Sequence, residues 1–412
     1  VDRADLIAEI LEKAFHLAES GQPGDHRKAS ENPVAYVGGG NLLAKASGEL
    51  AEFATHMGLR VAHSLMGKGA LRDDHPLVMG MTGFWGTELV NQACLNADYV
   101  FAVGTRFKEA DCSSWHLGYT FNIGGKTDTT KVIHVDIEPQ EIGRNYPTEI
   151  GVVADAKSAL RVLIRVAKEM YPDGFDRFEM KAKIADFREA FKASNAEMQA
   201  SDAFLMKPER ILAETRNALP DDAITTTDVG WNKNGVGQQF DILTPGSILT
   251  PGGFATMGFG PPATIGAKLA APERVVVSLV GDGGFGQNPS MLATAVELNL
   301  ATVWIVMNNN AFGTIAGLQK AHYGLPYGTT FPGTAAEPTN GPNYADIARA
   351  YGAVGVHINA ADELLPALQA AIASGKPTVL DVPMINNPTP TTGHWNILDI
   401  YSPDGDVSHV ST

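Results

Sequence analysis

Apolar residues recur along this chain in short runs that end in glycine or an acid, with helical spacing between the runs. PVAYVGGG, LRVAHSL, ADYVFAVGTRF and KVIHVDIEP read as strands between residues 33 and 167, with a helix over 43–57 after the first. A second series opens at Pro208, a first-turn proline before the helix ERILAETRNAL. DAITTTDVG, RVVVSLVGDGG, ATVWIVMNNN, GVHI and PTVLDVPM follow as strands, separated by helices over 262–270, 289–298, PNYADIARAYG and ADELLPALQAAIASG. Strand–helix alternation predicts parallel sheets with right-handed crossovers, so the expected fold class is α/β with two doubly wound parallel-sheet domains.

The first of these domains is expected over 25–170 and the second over 208–386. Residues 171–207 are charged and read as a linker helix, and 387–412 form a polar, Pro-rich tail. The opening VDRADLIAEILEKAFHLAESG is an amphipathic helix over 1–24 rather than a signal peptide.

Composition narrows the partners. The formal charge of −15 argues against nucleic acid and against an anionic membrane surface, and no apolar run is long enough to span a bilayer. The only two cysteines, Cys94 and Cys112, form no framework of pairs, which favours a reduced, cytoplasmic protein.

Candidate chemistry lies at the strand ends, where ligands bind in open α/β sheets. Gly38, Gly39 and Gly40 are a weak signal, balanced between a tight turn and a nucleotide site, and lack the G-x-G-x-x-G fingerprint. The stronger signal pairs Gly281-Asp282-Gly283 with Asn309. Asp282 ends an apolar strand, where a charge is costly without a compensating cation. Asn309 ends the next strand 27 residues later, a crossover length that brings both to one sheet edge. A carboxylate beside an amide oxygen suits Mg²⁺, which takes further oxygens from a ligand's phosphates, and the glycines let backbone N–H groups approach those phosphates. The blander reading is two capped turns.

GDGGFGQNPSMLATAVELNLATVWIVMNNNAFG resembles the cofactor motif of thiamine diphosphate (ThDP) enzymes, a GDG followed about two dozen residues later by NN. PGGFATMGFGPPATIGAKLA and TTDVGWNKN are similar to the ring-side and diphosphate-side segments of acetolactate synthases and related 2-oxo-acid decarboxylases. NPVAYVGGG, SLMGKGALRDDHPLVMGMTGFWGTE, ADYVFAVGTRF and HVDIEPQEIGRN resemble the same family's central domain, so the likeness covers nearly the whole chain.

The resemblance implies ThDP- and Mg²⁺-dependent decarboxylation or C–C carboligation of a 2-oxo acid. It implies Mg²⁺ ligation by the side chains of Asp282 and Asn309 and the carbonyl of Ala311. It places Gly281, Gly283 and Gly284, with Asp228, Gly230, Trp231 and Asn232, on the diphosphate side, and Ala255, Thr256 and Met257 against the rings. Met257 is the implied wedge that keeps the cofactor bent, Ala255 the carbonyl facing its amino group, and Phe312 and Gly313 complete the cofactor segment. Trp231-Asn232 departs from the Gln-His that usually follows the DVG glycine in acetolactate synthases.

The family's acid–base Glu sits in an N-terminal pyrimidine-binding domain, from a partner subunit. Residues 1–24 resemble only that domain's last helix, so the 412-residue chain by itself is expected to be an incomplete catalyst, with the site shared in a homodimer or homotetramer. Arg106 sits where FAD-binding relatives place an arginine, which leaves FAD open as a second cofactor. His322 and His394 read as surface or capping histidines, and Asp73-Asp74 as a solvated turn. The competing function is a nucleotide- or flavin-binding module without carboligase chemistry.

Overall fold

The computed structural model describes residues 32–124, 130–331 and 341–386. The expected helix at 1–24, the tail from 387, His394 and the side chain of His322 lie outside the described residues. The chain forms two compact units that divide between Glu189 and Ala190, inside the helix Phe178–Gln199.

The first unit is a six-stranded, all-parallel sheet of β1 (Val34–Val37), β2 (Arg60–His63), β3 (Val78–Met81), β4 (Tyr99–Val103), β5 (Lys131–Asp136) and β6 (Ile150–Val153), in the order β3-β2-β1-β4-β5-β6. β1 and β4 flank the point where the strand order reverses. β1 is buried along its length, as a central parallel strand covered on both faces must be. The helix expected over 43–57 is two, Gly40–Leu43 and Ser47–Met57, because Lys45 between them adopts a φ of +52°. Leu50, Phe53 and Met57 share a core with Leu160 and Leu163 of the helix Ala156–Met170.

The three-glycine turn after β1 serves close packing. A β-carbon on Gly38 would lie 2.2 Å from the Gly104 carbonyl oxygen. Gly38 and Gly40 donate their N–H groups to Val103 and Gly104 at 3.1 and 2.9 Å. Arg106 is exposed nearby in sequence, and both cysteines are buried and free.

The turn at Asp73-Asp74 is only half solvated. Asp74 pairs with exposed Arg72, but Asp73 is buried against Lys68, Nζ to Oδ2 at 2.8 Å. The pairing is local, five residues apart, and covers His63 at the end of β2. Arg188 ties the same loop down by donating to the carbonyls of Asp73 and His75, each at 2.7 Å. Burial, helped by Lys68, lowers the His63 pKa to about 4. Unfolded histidine binds a proton near pH 6.5 that the folded site refuses, so this contribution is present above 6.5 and is lost as pH falls from there toward 4. His63→Gln is therefore expected to flatten the loss of stability between pH 6.5 and 4.5, read by urea denaturation. An unchanged slope would contradict the assignment.

The second unit is a six-stranded parallel sheet of β7 (Ile224–Thr227), β8 (Ile248–Leu249), β9 (Val276–Gly281), β10 (Thr302–Asn308), β11 (Val354–His357) and β12 (Thr378–Pro383), in the order β11-β12-β10-β9-β7-β8. The chain runs from β7 out to β8 and returns to pair β9 on the other side of β7. The ends of β7 and β9 therefore flank a switch point, where an open sheet leaves a crevice. Pro208 opens the helix Pro208–Ala218 as expected. Helices at Trp231–Gln239 and Gly313–Tyr323, rich in glycine, follow β7 and β10. Among the described residues, no helix is long and apolar enough to cross a membrane.

Candidate functional site

β9 and β10 pair in register, Gly281 opposite Met307, so the residues just past their ends emerge side by side. Asp282 opens a one-turn helix and Asn309 follows β10 directly. A cleft lies there, lined by the turn after β7, the Gly281–Gly284 turn, Met257, Asn309 and residues 311–315.

Twelve residues singled out from the sequence line this cleft: Gly230, Trp231, Asn232, Met257, Gly281, Asp282, Gly283, Gly284, Asn309, Ala311, Phe312 and Gly313. Val229, Met307, Thr314, Ile315 and Met384 complete the lining. Asp228, Ala255 and Thr256 do not line it.

Asp228 instead faces inward. It is fully buried, and its carboxylate accepts from the N–H groups of Val229, Gly258 and Gly260 at 2.9, 3.1 and 2.8 Å. It thus pins the 258–260 segment beside the cleft, and Ala255 enters that segment with a φ of +49°. Asn232 is also spent on shaping: its amide accepts from Asp228 N–H and donates to the Val229 carbonyl, at 3.1 and 3.0 Å. Trp231 lies over Gly235, where a β-carbon would meet its ring at 2.4 Å. Its indole N–H is buried without a hydrogen-bond partner among the described residues.

Asp282 Oδ1, the Ala311 carbonyl oxygen and the side-chain amide of Asn309 converge on the cleft floor. With its nitrogen turned inward, Asn309 donates to the Ala311 carbonyl at 2.9 Å and to Asp282 Oδ1 at 3.1 Å. Turned the other way, the amide would set its oxygen at those distances from two further acceptors, an arrangement that a cation between them would favour. Oxygens at right angles around Mg²⁺, each at about 2.1 Å, are about 3.0 Å apart.

Asp282 adds the charge. It is 3% exposed, and burial pushes its carboxyl up to about 7 despite hydrogen bonds from the Gly283 and Ala311 N–H groups. A bound cation would reverse that shift. No cluster of three His, Cys, Asp or Glu among the described residues could hold a metal. One carboxylate with neutral oxygens fits Mg²⁺ that completes its shell from phosphates and water. The glycines are sterically required. A β-carbon on Gly283 would lie 2.6 Å from the Phe312 ring and 2.8 Å from Met257 Cε, and one on Gly284 would lie 2.4 Å from Asp228 Oδ1.

Behind this floor lies a polar layer that the sequence reading did not name. Asp381 of β12 is fully buried and accepts from Asn308 Nδ2 at 3.0 Å and from the Tyr344 N–H at 3.1 Å. His357 Nδ1 lies 3.0 Å from its second oxygen. A charge inside the apolar run TVLDVP was the available signal, the same one that marks Asp282.

Residues 28–163 match the model described as the thiamine pyrophosphate enzyme central domain, and 228–382 match that of the C-terminal TPP binding domain. A probable acetolactate synthase large subunit of Methanocaldococcus jannaschii is 34% identical over 396 residues, 93% of this chain and 63% of the relative. The acetolactate synthase isozyme 3 large subunit of Escherichia coli is 30% identical, over 90% of this chain and 70% of the relative. That of Haemophilus influenzae is 29% identical, over 88% and 61%. The chain thus spans between 61% and 70% of the length of these relatives. With two domain models matched in the expected order over the two sheets, the chain belongs to the thiamine pyrophosphate enzymes, within their acetolactate synthase-like group, and carries that superfamily's central and C-terminal domains.

Proposed function

We propose that this protein uses ThDP and Mg²⁺ to decarboxylate a 2-oxo acid and to pass the remaining fragment to a proton or a second carbonyl. The observation that carries this reading is the convergence of Asp282 Oδ1, the Asn309 side-chain amide and the Ala311 carbonyl oxygen beside a glycine turn at the sheet's switch point. ThDP supplies the nucleophilic carbon and the electron sink for such chemistry; the protein supplies placement and electrostatics.

In this reading Asp282, Asn309 and Ala311 hold the metal. Gly284 presents a backbone N–H group to the diphosphate, whose charge the metal shares, and Gly283, whose N–H is held by Asp282, keeps the turn clear of side-chain atoms. The unpartnered indole N–H of Trp231 is a further donor on the cleft wall. Met257, against the Gly283 turn, would be the apolar prop on which the cofactor's rings rest.

Among the described residues, no Glu lines the cleft. In our reading the acid–base carboxylate at the pyrimidine comes from a second subunit. Ile315, 45% exposed on the cleft wall, supports a covering partner there. FAD, which Arg106 left open, is not part of this reading.

Carbon dioxide release from a panel of 2-oxo acids, pyruvate included, tests the chemistry. Release that requires both ThDP and Mg²⁺ is expected from the assembled protein. Tight Mg²⁺-dependent ThDP binding with no turnover on any acid would favour a cofactor-binding module instead. Met257→Ala separates placement from affinity. It should lower kcat by about 10-fold or more, an orientation effect, while changing the ThDP Kd by less. An unchanged kcat would remove the role given to Met257.

A further inference from the structure

Resting on the metal site just proposed, we infer that Asp381 is a positioning residue that sets the separation of Asp282 and Asn309 without touching either. The two ligands sit on separate turns, and nothing in β9–β10 pairing fixes the turns themselves. Asp381, on the neighbouring β12, reaches both through one intermediary each. On one side its Oδ1 takes the Asn308 amide at 3.0 Å, and Asn308 Oδ1 accepts from the Asn310 N–H at 3.3 Å. That closes the turn whose middle residue is Asn309. On the other side its Oδ2 takes the Tyr344 N–H at 3.1 Å, and the Tyr344 hydroxyl donates to the Asp282 carbonyl at 3.1 Å. The Tyr344 ring stands edge-on to Phe285 of the same one-turn helix, centroids 5.5 Å apart at 84°.

A fully buried carboxylate in an apolar strand needs donors to be tolerated, and Asp381 has three, counting His357. Its donors are the means by which both ligand turns are referred to one rigid strand. Asp381 does not line the cleft, so it acts on the ion only through Asn308 and Tyr344.

The consequence is ion selectivity. Mg²⁺ demands near-ideal octahedral geometry at about 2.1 Å, whereas Ca²⁺ accepts irregular shells at about 2.3–2.6 Å. Loosening the spacing should therefore weaken Mg²⁺ more than Ca²⁺. The experiment is calorimetric titration of ThDP at graded Mg²⁺ or Ca²⁺ for the wild type, Asp381→Asn and Tyr344→Phe. Asp381→Asn is expected to raise the apparent Kd for Mg²⁺ by about 10–100-fold, the usual scale for groups behind a metal ligand, and the Kd for Ca²⁺ by clearly less. Tyr344→Phe removes only the Asp282 branch and should shift the ratio the same way by a smaller factor. A wild-type Mg²⁺/Ca²⁺ ratio in folded Asp381→Asn would overturn the inference, even with a lowered Tm. Should that variant not fold, an unchanged ratio in Tyr344→Phe overturns it. Absence of any metal-dependent ThDP binding by the wild type would instead sink the metal-site reading, and this inference with it.

Discussion

Asp282→Ala is expected to raise the ThDP Kd measured with Mg²⁺ by more than about 100-fold, beyond the loss typical for a group merely behind a ligand. The substitution removes the one charged oxygen from a set whose other members, Asn309 Oδ1 and the Ala311 carbonyl, are neutral. It also separates binding from folding. In the metal-free protein Asp282 is a buried acid whose charged form is disfavoured. Losing the hydrogen bonds from Gly283 and Ala311 is offset by no longer burying that acid, so metal-free stability should change little. The wild type should gain in Tm when ThDP and Mg²⁺ are added together, and the variant should not. A variant that still melts higher with both ligands would place the metal elsewhere.

Gly284→Ala should be damaging in another way. Its new methyl would lie 2.4 Å from Asp228 Oδ1 and 2.7 Å from its Cγ. Asp228 cannot move aside cheaply, because Val229, Gly258 and Gly260 all donate to it. Forcing a buried carboxylate off such donors should destabilise the second unit by about 3 kcal/mol or more, and the 258–260 segment beside Met257 should shift with it. Gly266→Ala is the matched control. That glycine is exposed on the helix Gly260–Ala270, with nothing within 4 Å of an added β-carbon. There the substitution should stabilise by about 0.5–1 kcal/mol, the ordinary helix preference for alanine. Equal effects at the two positions, read by urea denaturation, would show that the Gly284–Asp228 contact is not as drawn.

The parts legible in the sequence were those with a local signature. β9 and β10 are largely apolar, and Asp282 and Asn309 stand directly after them, so strand pattern and site were read together. Short elements escaped: β8 has two residues, and the helix Trp231–Gln239 contains two glycines that mask its spacing. Asp228 could be seen to end a strand, but not that three amides from its own and a later turn would claim it from within. Asp73 looked solvated because its partner Lys68 has no periodic relation to it. The Asp381 layer was least accessible, since Asn308 and Asp381 are 73 residues apart and meet only through the pairing of β10 with β12.

The most direct test of the central claim is a crystal structure with ThDP and Mn²⁺ in place of Mg²⁺, the ion located by its anomalous signal. The account predicts one strong peak bounded by Asp282 Oδ1, Asn309 Oδ1 and the Ala311 carbonyl oxygen, at about 2.1–2.2 Å from each, with the amide of Asn309 oriented oxygen-inward and the diphosphate on the Gly283–Gly284 turn. A peak elsewhere, or a bound cofactor with the Asn309 nitrogen turned toward Asp282, would contradict it.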